Sequence, residues 1–300
     1  MVSSSSLLGA VQVFKTWPQR PLTTHQHPNI VSPLATFRAA HLSTGTCTDY
    51  DNVAVLSCTR VVNFHEYWRD QHGGLSSALV EQAACLTLAR VLSAAIYLHE
   101  HDTMKPRLMP RRVVMTVLDT GECYPLLRPS TRVSDNSGTV ADDVAELVFV
   151  MLQLDKSDCT NNMQRRKSDG SARREKPAVI DVVAAFPAQS SYSRCLQRVV
   201  RYLRQTAVGD LWDDGSKRSL NLLEFTLWGP SEDDARMIAI SDGRDTALQV
   251  WLSVTRCHLL AESALVEGPS QNGLEFAERA AFLCSATENS FLEITKLLFA

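Results

Sequence analysis

The stretch from Leu75 to Glu100 is apolar on nearly every helical face, through Leu79, Leu86, Leu88, Val91, Leu92, Ala95, Ile96 and Leu98, with Gly73-Gly74 marking its start. A helix of that kind is stable in water only when it is enclosed, so the chain must build other layers around it. The means are there: 300 residues with 45% hydrophobic content suffice for one large domain or two ordinary ones. Any large helical domain could supply such a core helix. The remaining apolar runs have to decide which one.

Charge excludes some classes of function. Thirty basic and 33 acidic residues leave a net charge of -3, which gives no general attraction to nucleic acid or to an anionic membrane. The eight cysteines stand singly, with no C-x-x-C pair and no histidine at ligand spacing beside them, so they read as reduced thiols, with no metal site and no cofactor expected. The early apolar run Leu7 to Phe14 lacks a preceding basic cluster and contains Gln12, which argues against a signal peptide. No segment is read as reaching the roughly 20 apolar residues of a membrane helix. The expectation is a soluble, cytoplasmic protein without membrane insertion.

Period-two patterning places β structure first and helices later. Leu8 to Lys15 alternates like a strand, and the prolines between Trp17 and Pro28 forbid a regular helix there. His27-Pro28-Asn29-Ile30-Val31 reads as a turn entering a strand. Asn52 to Val62 reads as one β-rich strand, Phe64 to Asp70 as a short amphipathic helix, and Val113 to Leu118 with Cys123 to Leu127 as a hairpin. Asp119-Thr120-Gly121 between the last two resembles the magnesium-binding D-F-G tripeptide of kinases, but its place directly between two strands favours the reading of an ordinary hairpin turn over that of a metal ligand. Asp142 to Leu154, Tyr192 to Gln205 and Leu220 to Trp228 read as helices, the last stopped by Gly229-Pro230. After an acidic link, Ser231 to Asp234, at least three more helices follow. Asp155 to Pro177 is a polar, basic insert expected to be a disordered loop, in which Ser168 and Ser171 are candidate phosphorylation sites.

Tyr97-Leu98-His99, followed by Lys105-Pro106-Arg107-Leu108-Met109-Pro110-Arg111-Arg112, has the frame of a protein-kinase catalytic loop. In an active kinase the signature H-R-D-L-x-P-x-N delivers an Asp to accept the substrate proton and an Asn to hold magnesium. Here Lys105 stands at the first position, Arg107 at that of the Asp and Arg112 at that of the Asn. A guanidinium cannot accept a proton at neutral pH, and it repels a divalent ion. The metal-binding position after the hairpin falls near Arg128, again without a carboxylate. Lys15 stands too close to His27 for a helix bearing a partner Glu to intervene, and no glycine-rich phosphate loop precedes it.

Further motifs narrow the likeness. Val62-Asn63-Phe64 with Tyr67-Trp68-Arg69-Asp70, Tyr192-Ser193-Arg194-Cys195-Leu196-Gln197-Arg198, Leu227-Trp228-Gly229-Pro230, Trp251-Leu252 with Arg256, Ala277-Glu278-Arg279-Ala280 and Lys296-Leu297-Leu298 occur in the order found in the PEAK and Pragmin pseudokinases. The chain resembles a divergent or N-terminally truncated member of that family. The resemblance implies an α+β fold, mainly α: a partial β-rich N-lobe over 1–62, a kinase-like helical lobe over 63–230 and a C-terminal helical dimerisation extension over 231–300.

It also implies a catalytically inactive scaffold that forms homo- or hetero-oligomers with related pseudokinases and organises tyrosine-kinase and adaptor signalling in cell migration, at actin or focal adhesions. Leu248, Trp251, Leu252, Arg256, Leu259, Leu260, Leu297 and Leu298 are the expected dimerisation residues. A stripe of that composition can pack back on its own lobe or meet a second copy across a two-fold axis. Two other functions stay open: a degraded kinase that binds ATP without turnover, and a plain α-rich interaction domain.

Overall fold

The computed structural model describes residues 10–14, 27–31, 35–38, 52–56, 60–72, 74–102, 107–118, 123–128, 140–154, 191–205, 215–240, 243–265 and 273–299. Lys15, Lys105, the Asp119 turn and the basic insert lie outside them. Two antiparallel sheets come first. β1 (Ala10–Phe14) and β2 (Ala35–Arg38) flank β3 (Asn52–Leu56), with Val11 opposite Val55 and Phe37 opposite Val53. β4 (Arg60–Asn63), β5 (Val113–Val117) and β6 (Cys123–Leu127) make the second sheet. The β-rich run from Asn52 to Val62 is therefore divided between two sheets instead of forming one strand. Composition marks a run as extended, whereas its partner is set by distant segments.

The helices follow: α1 (Phe64–His72), α2 (Ser77–Asp102), α3 (Val140–Met151), α4 (Ser191–Gln205), α5 (Gly215–Trp228), α6 (Glu232–Ile240), α7 (Arg244–Leu265), α8 (Gly273–Ser285) and α9 (Glu288–Phe299). α2 is the axis of the molecule, packed against α3, α4, α5 and β6. Leu88, Leu92, Ala94 and Ala95 on it are wholly enclosed, while Leu75 and Leu79 at its entrance are 40% and 50% exposed. One expectation is corrected here. By length and composition, Ser77–His101 could cross a membrane. Most of that stretch is buried against its neighbours, the state of a core helix.

His27 and Asn29 tie the β structure to this axis. His27 Nε2 lies 3.1 Å from Ser93 Oγ on α2, its Nδ1 accepts the Asn29 N–H, and burial lowers the ring to about 4, so it is neutral. The Asn29 side chain donates to the Pro125 carbonyl at 3.0 Å, the Val31 N–H donates to the Leu127 carbonyl of β6, and the Leu127 N–H donates to the Asn29 carbonyl. The turn expected from sequence is thus a buried clasp between β6 and α2.

Beyond Pro230 the core continues without a break. Phe225 of α5 meets Phe282 of α8 edge to face at 6.5 Å and Phe291 of α9 at 5.4 Å, and Trp228 lies 6.1 Å from Phe282. Arg90 of α2 donates through Nε and Nη2 to both oxygens of Glu278 on α8, at 2.8 Å for the shorter pair. Gly229 closes α5 because a Cβ there would stand 2.3 Å from the Phe225 carbonyl oxygen. Ser231, expected in a link, instead caps α6: its hydroxyl accepts the Asp234 N–H and donates to the Asp234 carboxylate.

Candidate functional site

The catalytic-loop frame is held by a side chain that the motif does not contain. Leu108 is fully buried and a 3-10 turn, Pro110–Arg112, leads from it into β5. Into this corner the first turn of α3 brings Asp143. Arg107 Nε donates to Asp143 Oδ2 at 2.8 Å, Arg107 Nη2 donates to Oδ1 at 2.9 Å, and the Leu108 N–H donates to Oδ2 at 3.0 Å. The Asp143 side chain is only 3% exposed and that of Arg107 13%. A carboxylate engaged on both oxygens and closed to solvent is a structural anchor, and it is not free to take a proton from a substrate hydroxyl.

Arg112 and Arg128 meet on the neighbouring edge. The Arg128 N–H donates to the Arg112 carbonyl at 2.9 Å. Burial first, and the Arg112 charge second, push the Arg128 guanidinium below its ordinary value. Two half-buried cations so close disfavour a third positive charge. Among the described residues no group of three or more His, Cys, Asp or Glu side chains is placed to hold a metal ion.

The residues expected to dimerise separate into three sets. Leu248, Leu252 and Leu259 are buried in the chain's own core, and Arg256 donates through Nε and Nη2 to the Leu283 carbonyl at 2.9 and 2.6 Å, tying α7 to α8. Trp251 is half-buried against the same core. Among the described side chains of the set Leu260 alone is open, at 69% exposure. The side chains of Leu297 and Leu298 lie outside the described residues. The stripe read from sequence is therefore the inner face of α7, already covered by the same chain.

Further apolar side chains of α6 and α7 stand in solvent. Val250, Val254 and Leu260 of α7 and Met237 and Ile240 of α6 are all exposed, Ile240 most of all at 76%. Sequence reasoning passed over Val250, Val254, Met237 and Ile240. The signal available was the spacing of Val250, Val254, Cys257 and Ala261, which recur at four and three like one face of a paired helix.

Between α5, α7, α8 and α9 lies a cavity of about 140 Å³, walled by Phe225, Trp251, Phe282 and Phe291, with Asn221 and Glu224 as the polar side chains of α5. Burial, and then the charge of Glu278, push Glu224 up from 4.5 to about 7. From pH 4.5 to 7 the folded chain keeps a proton that the unfolded chain has lost, so this group's contribution to stability falls as pH rises through that window. Glu224→Gln, which imitates the protonated form, is expected to stabilise the fold by ~2 kcal/mol at pH 8 and to change little at pH 4.5. Urea unfolding at the two pH values measures this. An equal effect at both would show that Glu224 titrates normally.

Comparison with known proteins places this architecture. No protein-family model and no curated protein sequence matches the chain. Among solved structures it is similar to the crystal structure of the pseudokinase PEAK1 (Sugen Kinase 269), with a TM-score of 0.62 and 21% identity, over 91% of this chain and 76% of that one. Likeness at that identity establishes fold. The chain therefore has a protein-kinase-like fold, α+β and mainly α.

Proposed function

We propose that the chain is a catalytically inactive kinase-like scaffold that self-associates through α6 and α7 and organises tyrosine-kinase signalling in cell migration. The observation that carries the scaffold reading is the exposure of Met237 and Ile240 on α6 and of Val250, Val254 and Leu260 on α7, helices that also bury apolar residues in the chain's own core. Such exposure is uncommon on a surface that stays in water. An amphipathic helix pair meeting its own copy buries such side chains twice over, once on each partner. Inactivity rests on Arg107, Arg112 and Arg128, which put positive charge where phosphoryl transfer needs a base and magnesium. Homo- or hetero-oligomers with related pseudokinases, in the cytoplasm at actin or focal adhesions, are the assemblies this reading expects.

Point substitutions test it better than truncation, because removing α8 and α9 would strip Phe225 of its partners. Ile240→Asp with Val254→Asp leaves the inner face intact and places charges on the outer one. Sedimentation velocity of the full chain should show concentration-dependent association, weakened at least about tenfold in the double variant. Monomeric sedimentation of the unaltered chain at high concentration would overturn self-association. Magnesium-dependent phosphotransfer by the purified chain would overturn inactivity.

A further inference from the structure

We infer that the cavity between α5, α7, α8 and α9 is a binding site for an alkylammonium cation, its ammonium head on Glu224 and its apolar body against Phe225, Trp251, Phe282 and Phe291. The site is independent of self-association, since none of the exposed apolar side chains of α6 and α7 lines it.

Three features of the walls select this chemistry. First, size: a cavity of roughly 150 Å³ holds a benzene-sized molecule, and this one measures about 140 Å³. A ligand of four or five heavy atoms fits, and a nucleotide does not. Second, four aromatic side chains stand in the wall beside Leu248, Leu252 and Ile294, and ring faces attract a cation. Third, the charge is uncompensated. Glu278, the acidic neighbour whose charge helps raise Glu224, holds Arg90 of α2 as its own partner. Among the described residues neither Glu224 nor Asn221 has a hydrogen-bond or ion-pair partner.

The other polar groups on the lining are already engaged. The Ser285 hydroxyl donates to the Phe282 carbonyl, and Thr287 and Ser290 cap one another at the start of α9. The lining side chains of α7 and α9 bring no charge. One carboxylate among aromatic rings is not a ligand set for a metal ion, and an anion would face Glu224 with nothing positive beside it.

Binding is linked to protons. Empty, Glu224 holds its proton up to about pH 7. An arriving ammonium ion stabilises the carboxylate, and the displaced proton leaves to solvent. Affinity should therefore rise with pH through neutrality.

The full-length chain can be titrated with n-butylammonium and with n-butanol, its neutral counterpart of equal length, by isothermal calorimetry at pH 6 and 8. Butylammonium is expected to bind at least about tenfold more tightly than butanol at pH 8, and to lose about tenfold on going to pH 6. Glu224→Gln should abolish the preference while leaving butanol binding intact. Asn221→Trp, which adds bulk toward the cavity without altering charge, should exclude both ligands. Nα-acetyl-lysine amide in place of butylammonium separates a lysine side chain from a free amine as the source of the head group. Equal affinity for the two probes, a preference that survives Glu224→Gln, or no binding of butylammonium at ~10 mM would overturn the assignment.

Discussion

Asp143→Ala is expected to destabilise the folded chain by about 3–5 kcal/mol, measured by urea unfolding at neutral pH. The substitution removes two acceptors of the Arg107 guanidinium and the acceptor of the Leu108 N–H, in a corner where Asp143 is 2% exposed. Arg107 would keep its charge in a site 13% open to water, and the Leu108 amide would lose its partner beside a fully buried side chain. Arg107→Met should cost less, because Asp143 then retains the Leu108 amide and the new side chain is apolar. Combining Arg107→Met with Asp143→Leu should recover part of the loss, as replacing both members of a buried pair often does. A loss below about 1 kcal/mol for Asp143→Ala would mean that the corner is wetter than its packing implies.

This corner also shows how far the sequence could be read. Arg107 was legible as a residue that cannot serve as a base, because its chemistry travels with its identity. Its partner was not legible. Asp142 and Asp143 open an apolar helix, and acids in a first turn ordinarily answer the helix dipole; which of them turns inward depends on where α3 lies against the loop. α2 was legible as an enclosed helix because a helix apolar all round cannot face water, although its length and composition would also suit a membrane. α7 was not, for a related reason. Leu248, Trp251, Leu252 and Leu259 make the heavier stripe and Val250 and Val254 a lighter one, and either could face the chain's own core. The larger side chains gain more from burial, so the heavier stripe turned inward. The division of Asn52 to Val62 between two sheets was hidden because strand pairing joins residues far apart in sequence, such as Val62 with Met115.

The second large effect concerns the seam at Pro230. Phe282→Ala should cost about 3–5 kcal/mol, since Phe282 is 7% exposed and lies between Phe225 and Trp228 of α5. Val254→Ala, on the outer face of α7, should stay within about 0.5 kcal/mol in the monomer. The contrast matters because the helices after Pro230 share aromatic contacts and the Arg90 to Glu278 pair with the central lobe. They are expected to unfold with that lobe in one transition, seen alike by circular dichroism and by tryptophan fluorescence. Two separated transitions, or a protease fragment ending near Pro230 that stays folded, would show the C-terminal helices to be an independent module. If unfolding is concerted, the lobe itself fixes α7 with Val250 and Val254 turned outward, and a partner would meet a surface already formed before it arrives.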